Sequence, residues 1–192
     1  MTFQFKIKIK GITHPPVWRR VLVPANYNFY FLHLIIQKVF DWDSSHLFLF
    51  SLKGYRSSTF IKFKYNKYED DDLINPEDIL LSKIFKKEKQ YFTYIYDFGD
   101  NWYHTILLEK ILPDDIEYPK LIAGKGRAPF EDCGGVWGYD DLKFLLSDPA
   151  NPRYEEMARW CGIEKGEEFD PLKFDLAATQ DRLNSAFKRW EK

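Results

Sequence analysis

Phe3-Gln4-Phe5-Lys6-Ile7-Lys8-Ile9-Lys10 is the stretch that decides the fold. Apolar and polar residues alternate along it with period two, the pattern of a strand with one face in a core and the other in water. Gly11 and Pro15-Pro16 end it, and Val17 to Val23, closed by Pro24, reads as its hairpin partner. Asn28 is placed to cap a helix over Phe29 to Phe40, where Leu32, Ile35, Ile36 and Val39 make one apolar stripe. Two strand-like stretches follow, His46 to Leu52 and Thr59 to Tyr65, with Gly54 between them.

Farther along, Glu69-Asp70-Asp71-Asp72 reads as an exposed acidic loop, and Pro76-Glu77-Asp78 opens a short helix to about Lys87. Tyr91 to Tyr96 and Trp102 to Leu112 read as a hairpin around Phe98-Gly99-Asp100-Asn101. The Gly/Pro-rich Pro119 to Gly138 reads as a loop. Asn151, Pro152 and Gly162 then frame a helix with a buried stripe of Tyr154, Met157, Ala158 and Cys161. A last helix starts at Asp175 and carries Leu183, Phe187 and Trp190 on one side. The expected class is α+β: a largely antiparallel sheet with an inserted helix and a C-terminal helical part packed on it. One domain is expected over residues 1–192, with a sheet-rich part (1–112), a loop (113–138) and a helical part (139–192).

Composition supports a folded chain: 192 residues, 45% apolar and 18% aromatic, enough for one full core. No run approaches the roughly 20 apolar residues of a membrane helix, so no membrane partner is expected. Cys133 and Cys161 make neither a disulfide framework nor a CxxC pair, which points to a reducing cytoplasm. Charge is uneven. Residues 1–68 hold eleven Lys/Arg against two acids, a net of +9, and residues 69–192 hold seventeen against twenty-seven, a net of −10. Such asymmetry fits an anionic partner, nucleic acid or an acidic protein, and fits equally two halves that attract each other.

Four features bear on chemistry. Asp97-Phe98-Gly99 is shared with the kinase magnesium motif, but the phosphate loop, strand lysine and catalytic loop of a kinase are missing. No HxH, HxxxH or HExxH spacing joins His14, His33, His46 and His104, so no metal or cofactor is expected; a metal site would need Asp97, Asp100 and His104 to meet His33 or His46 across the fold. Residues 124–135, from Gly124-Lys125-Gly126-Arg127 to Cys133-Gly134-Gly135, can form a backbone nest for an anion or a tight covering loop, and Cys133 after two acids is a poor nucleophile. Lys6, Lys8, Lys10, Lys62 and Lys64, with Tyr55, Tyr65 and Tyr68 nearby, are candidate nucleic-acid contacts. Both motif segments concentrate glycine and carboxylates. Asp97, Asp100, His104, Glu131 and Asp132, walled by Trp102 and Tyr139, are therefore expected to share one concave ligand site.

Several blocks, in order, carry a resemblance. Val17-Trp18-Arg19-Arg20, Leu32-His33 with Ile36-Gln37, Trp42 with His46-Leu47, Tyr96-Asp97-Phe98-Gly99-Asp100 with Trp102 and His104, and Glu131-Asp132-Cys133-Gly134-Gly135 with Gly138-Tyr139 resemble the plasmid pRiA4b ORF-3-like proteins, and the match runs on to Asp170-Pro171 and Phe174-Asp175. Asp41 stands where that family usually has glycine, and Phe130 where a second proline usually precedes Glu-Asp. The resemblance implies a microbial protein, often from a mobile element. Resolvase and transposon-passenger labels in the family find no support in these residues, since the first serine is Ser44. Two functions remain open: a non-enzymatic binding module in a mobile-element or nucleic-acid context, and a small metal-dependent hydrolase using the Asp97/Asp100/His104 hairpin with the Glu131–Gly135 loop.

Overall fold

The computed structural model describes residues 1–65, 73–164 and 167–188. The acidic run Glu69–Asp72, Tyr68 and Trp190 lie outside the described residues. Six strands form one antiparallel sheet: β1 (Thr2–Ile9), β2 (Trp18–Pro24), β3 (Phe48–Ser51), β4 (Tyr91–Tyr96), β5 (Trp102–Leu112) and β6 (Lys120–Lys125), in the order β3-β4-β5-β1-β2-β6. β1 is central, and its alternation sets the layers. Phe3, Phe5, Ile7 and Ile9 are fully buried, whereas Lys6 and Lys8 point the other way, sharing their face with Arg20, Trp18, Leu107 and Thr105 on the neighbouring strands.

The helices are α1 (Phe29–Phe40), α2 (Leu81–Ile84), α3 (Gly135–Leu145), α4 (Tyr154–Trp160) and α5 (Leu176–Lys188). Asn28 caps α1 by accepting the Phe31 N–H, and the stripe Leu32, Ile35, Ile36 and Val39 is buried. At its other end Asp41 adopts φ 62°, the left-handed conformation for which glycine is the usual residue, so the family's glycine there has a conformational reason. Arg182 pairs with the Asp41 carboxylate at 2.9 Å. Arg19 fastens this corner to the sheet. It is buried, donates to the backbone carbonyls of Val39, Trp18 and Lys125, and lies between the Phe40 and Phe174 rings. α5 packs on α1 and along β6, where Gln180 accepts the Leu121 N–H at 2.6 Å, so that edge is covered.

The α+β class and the antiparallel sheet hold, with local corrections. β6 and the first turn of α3 fall inside 113–138, the stretch read as loop, because its glycines suggest turns while Leu121 alone is buried in β6. Thr59 to Tyr65 is not a strand: Ile61 makes one isolated bridge to Phe50 and another to Ile74. The helix expected to open at Pro76 begins at Leu81, and Asn151 makes a turn with the Arg153 N–H ahead of α4 and does not cap the helix itself. Among the described residues no helix is long and apolar enough to cross a membrane.

Ile36 is fully buried on the face of α1 that meets the sheet. Ile36→Ala is expected to cost about 2–5 kcal/mol by urea unfolding. A single transition reported alike by tryptophan fluorescence and far-UV circular dichroism is expected; two transitions would separate the sheet from the C-terminal helices.

Candidate functional site

The β4–β5 hairpin and the segment leading into α3 meet, and side chains bind them. The hairpin turn needs left-handed backbone at Asp97 (φ 54°) and Asn101 (φ 56°), which short polar side chains tolerate. Asp97 is buried and accepts the Gly99 N–H at 2.9 Å, closing the turn on itself. Asp100 reaches outward and accepts the Gly134 N–H at 3.1 Å. Gly135 then packs on the turn so closely that a Cβ there would lie 2.5 Å from the Asp100 carbonyl oxygen. The covering segment is pinned from below as well: Trp42 Nε1 donates to the Pro129 carbonyl at 2.8 Å and the Tyr139 hydroxyl to that of Arg127 at 2.9 Å. Phe130, where the family usually has proline, is instead held edge-on against Trp160 and under Arg127.

His46 completes the junction. Its Nδ1 lies 3.8 Å from Asp97 and its Nε2 3.1 Å from Asp132, so one imidazole bridges carboxylates of the two motif segments. Next to it Glu131 accepts from the Tyr96 hydroxyl and, at 2.7 Å, from the Asp43 N–H. Burial and the Glu131 carboxylate hold the Tyr96 hydroxyl well above the usual phenol range. Burial, with Asp100 and Asp132 behind it, pushes the Cys133 thiol up to about 12, which removes it as a nucleophile.

Of the residues expected to share a site, the structure brings Asp97, Asp100, Glu131 and Asp132 to this junction and leaves Trp102, His104 and Tyr139 in the core. The correction follows from strand geometry. On β5 the residues Trp102, His104, Ile106 and Leu108 alternate inward, so the tryptophan and the histidine belong to the buried face. His104 donates Nδ1–H to the Trp102 carbonyl, and burial lowers its pKa to about 3. His33 is also core: it lies between the Tyr94 hydroxyl (2.7 Å) and the Ser44 hydroxyl (2.5 Å), with its pKa lowered to about 3 by burial and Lys38. His46 was legible only as part of the Trp42-to-Leu47 block and, beside His33, as a histidine that the Asp97 hairpin could meet across the fold. The three residues Asp97, Asp132 and His46 come from separate segments and share no spacing.

The candidate nucleic-acid lysines divide. Lys6, Lys8 and Lys10 lie on the uncovered face of the sheet, where Lys6 stacks over Trp18 (4.7 Å) and Lys10 over Tyr103 (5.9 Å). Arg20 shares the Trp18 ring and holds Glu109 in two hydrogen bonds of 2.6 and 2.8 Å. Beyond β1 the turn over Leu52–Arg56 folds across this face, placing Tyr55 edge-on to Tyr103 and leaving a hollow of about 750 Å³ lined by Lys10, Lys53, Arg56 and both tyrosines. Lys62 and Lys64 follow Ile61, beyond β3, which puts them about four strand spacings, or ~19 Å, from β1.

The motif blocks, in order along the chain and gathered in space, match a family model over residues 1–178, that of the plasmid pRiA4b ORF-3-like protein. The chain belongs to that family. An uncharacterized protein, y4hQ, of Sinorhizobium fredii (strain NBRC 101917 / NGR234) is 30% identical over 177 residues, covering 92% of this chain and 88% of its own. The crystal structure of a protein of unknown function, MM3350, from Methanosarcina mazei Go1 superposes with a TM-score of 0.77 at 39% identity, over 92% of this chain and 96% of that one. The Methanosarcina protein shares the fold described above, and neither relative's description names an activity.

Two outcomes test this geometry. Gly135→Ala, which needs a left-handed backbone (φ 69°) and has no room beside Asp100, is expected to lower stability by about 1–3 kcal/mol in thermal melting. Acid should unfold the chain partly through its buried histidines. Between pH 6.5, the ordinary value, and about 3, the unfolded chain protonates His33 and His104 and the folded chain does not. The unfolded state then binds more protons, so stability falls as pH drops through this window, by up to about 1.4 kcal/mol per unit for each ring. His33→Gln is expected to make urea stability less steep between pH 6.5 and 5; an unchanged slope would count against a neutral buried His33.

Proposed function

We propose that this chain is a non-enzymatic binding module for single-stranded nucleic acid, with the uncovered face of its sheet as the contact surface. The observation that carries the reading is the interleaving of cations and aromatics there: Lys6, Lys8, Lys10 and Arg20 around Trp18 and Tyr103, continued by Lys53, Arg56 and Tyr55. Among the described residues Lys6, Lys8 and Lys10 form no ion pair; Glu109, held by Arg20, is close enough to feel the charge of Lys6, and Lys8 and Lys10 are the cations this face offers most freely to an outside partner. Flat aromatic faces accept unstacked bases and the cations between them track phosphates, a combination that suits a single strand better than a duplex. The two thiols are unpaired, in keeping with a cytoplasmic setting, and the plasmid in the family's description is in keeping with a mobile-element context.

Fluorescence anisotropy with a labelled 20-nucleotide single strand, its duplex and an acidic peptide tests this. The single strand is expected to bind best, with log K falling against log salt by about 0.7 for each phosphate contacted. Replacing Lys6, Lys8 and Lys10 together by glutamine should flatten that slope, and Trp18→Ala should cost about 1–3 kcal/mol of binding through lost stacking. Lys62→Gln with Lys64→Gln should leave the slope unchanged. No binding of either nucleic acid at low salt, or tighter binding of the acidic peptide, would end the proposal.

A further inference from the structure

His46, Asp97 and Asp132 come from three separate segments: the α1–β3 connection, the end of β4 and the loop before α3. One donor atom from each lies within 4.8 Å of the other two. This is not an ordinary surface ion pair. The His46 Nε2 atom is itself buried and has no hydrogen-bond partner: the Asp132 oxygen is near, at 3.1 Å, but lies off the direction in which an N–H would point. Asp97 is 8% exposed and has one of its oxygens engaged by the Gly99 N–H, a buried carboxylate with little to neutralise it. A buried ring nitrogen without a partner, with a carboxylate oxygen from each of two other segments within 4.8 Å of a donor atom of the same ring, is what a divalent cation satisfies.

We propose that these three residues bind one divalent transition-metal ion, of the zinc or manganese class, with the remaining coordination positions open to solvent. Ligand bonds of about 2.0–2.2 Å place donor atoms roughly 3.3–3.5 Å apart on a tetrahedral ion. Asp132 makes up the difference from the observed spread: its side chain is 70% exposed and is free to swing in, whereas His46 and Asp97 are held by the fold. The imidazole sets the ion class, since magnesium and calcium prefer an all-oxygen shell. The same hairpin turn also borders the basic sheet face, through Asn101 and Phe98 against Tyr55, but nothing in the argument for the ion rests on nucleic-acid binding.

The test is isothermal titration of untagged, chelator-stripped full-length protein with zinc, manganese and magnesium chlorides, with melting temperature followed in parallel. One equivalent of zinc or manganese is expected to bind, more tightly than magnesium, and to raise the melting temperature. Asp97→Asn, Asp132→Asn and His46→Gln should each weaken binding at least about tenfold. Asparagine suits both aspartate positions, because it tolerates their left-handed φ of 54° and 59° and, at 97, keeps an oxygen for the Gly99 N–H. The exposed Asp141→Asn should bind as the unaltered chain does. Absence of binding at millimolar zinc and manganese overturns the proposal, and so does binding that survives any one of the three ligand substitutions, since the ion would then lie elsewhere.

Discussion

Burial of one face of β1, and of one face only, sets the architecture. Phe3, Phe5, Ile7 and Ile9 remove their whole side chains from water, the two phenylalanines against Phe85, a contribution of about 1.5–3 kcal/mol for each. The period of two then obliges Lys6 and Lys8 to face away. Because β1 lies between β5 and β2, its register fixes theirs: Lys8 is opposite both Trp18 and Thr105, and Lys6 opposite both Arg20 and Leu107. A slip by one residue would bury the lysines and expose the phenylalanines. The apolar core and the basic surface are thus two consequences of one alternation, and neither can be altered in register without the other.

The junction at His46 depends on the same layer at one remove. An irregular segment laid over a sheet has backbone groups to satisfy, and here the partners are side chains anchored in the core. Trp42, Tyr139 and Tyr96 are all buried, and each presents its polar tip to the segment between Arg127 and Glu131. Their rings belong to the hydrophobic cluster and their N–H or O–H groups to the loop, so the loop's position is inherited from core packing. That is why Glu131 and Asp132 arrive beside the hairpin although more than thirty residues separate them in the chain.

Where a feature was set by local periodicity, it was legible in the sequence. The alternation of β1, the stripe of α1 and the hairpin at Phe98–Asn101 each follow from residues within a dozen positions. Features fixed by partners far away were not. β6 is a strand because β2 offers it an edge, with Trp18 opposite Lys125, and its own glycine gives the contrary signal. Thr59 to Tyr65 has the composition of a strand but makes only single bridges. The same distinction governs the site. Asp97, Asp100, Glu131 and Asp132 stood out as carboxylates in glycine-rich turns, whereas His46 gains significance only from contacts across the fold. Trp102 and His104 misled because they lie in a chemistry-rich motif, yet their inward phase was already written in the alternation through Ile106 and Leu108.

The division of charge along the chain takes a different meaning in three dimensions. The basic first third and the acidic remainder are not two bodies facing each other, since β5 and β6, from the acidic part, are paired directly with β1 and β2. Ion pairs between the two parts exist, Arg20 with Glu109 and Asp41 with Arg182 among them. They hold strands and helix ends together, and among the described residues they form no ion pair with Lys6, Lys8 or Lys10. The cations therefore sort by face of the sheet, and the carboxylates of the two motifs gather at the turn end, around His46. At physiological salt the Debye length is about 8 Å, which confines the pull of each site to charges in its immediate surroundings. A face that attracts phosphates and a junction that gathers carboxylates around one imidazole can therefore coexist, each with its own partner.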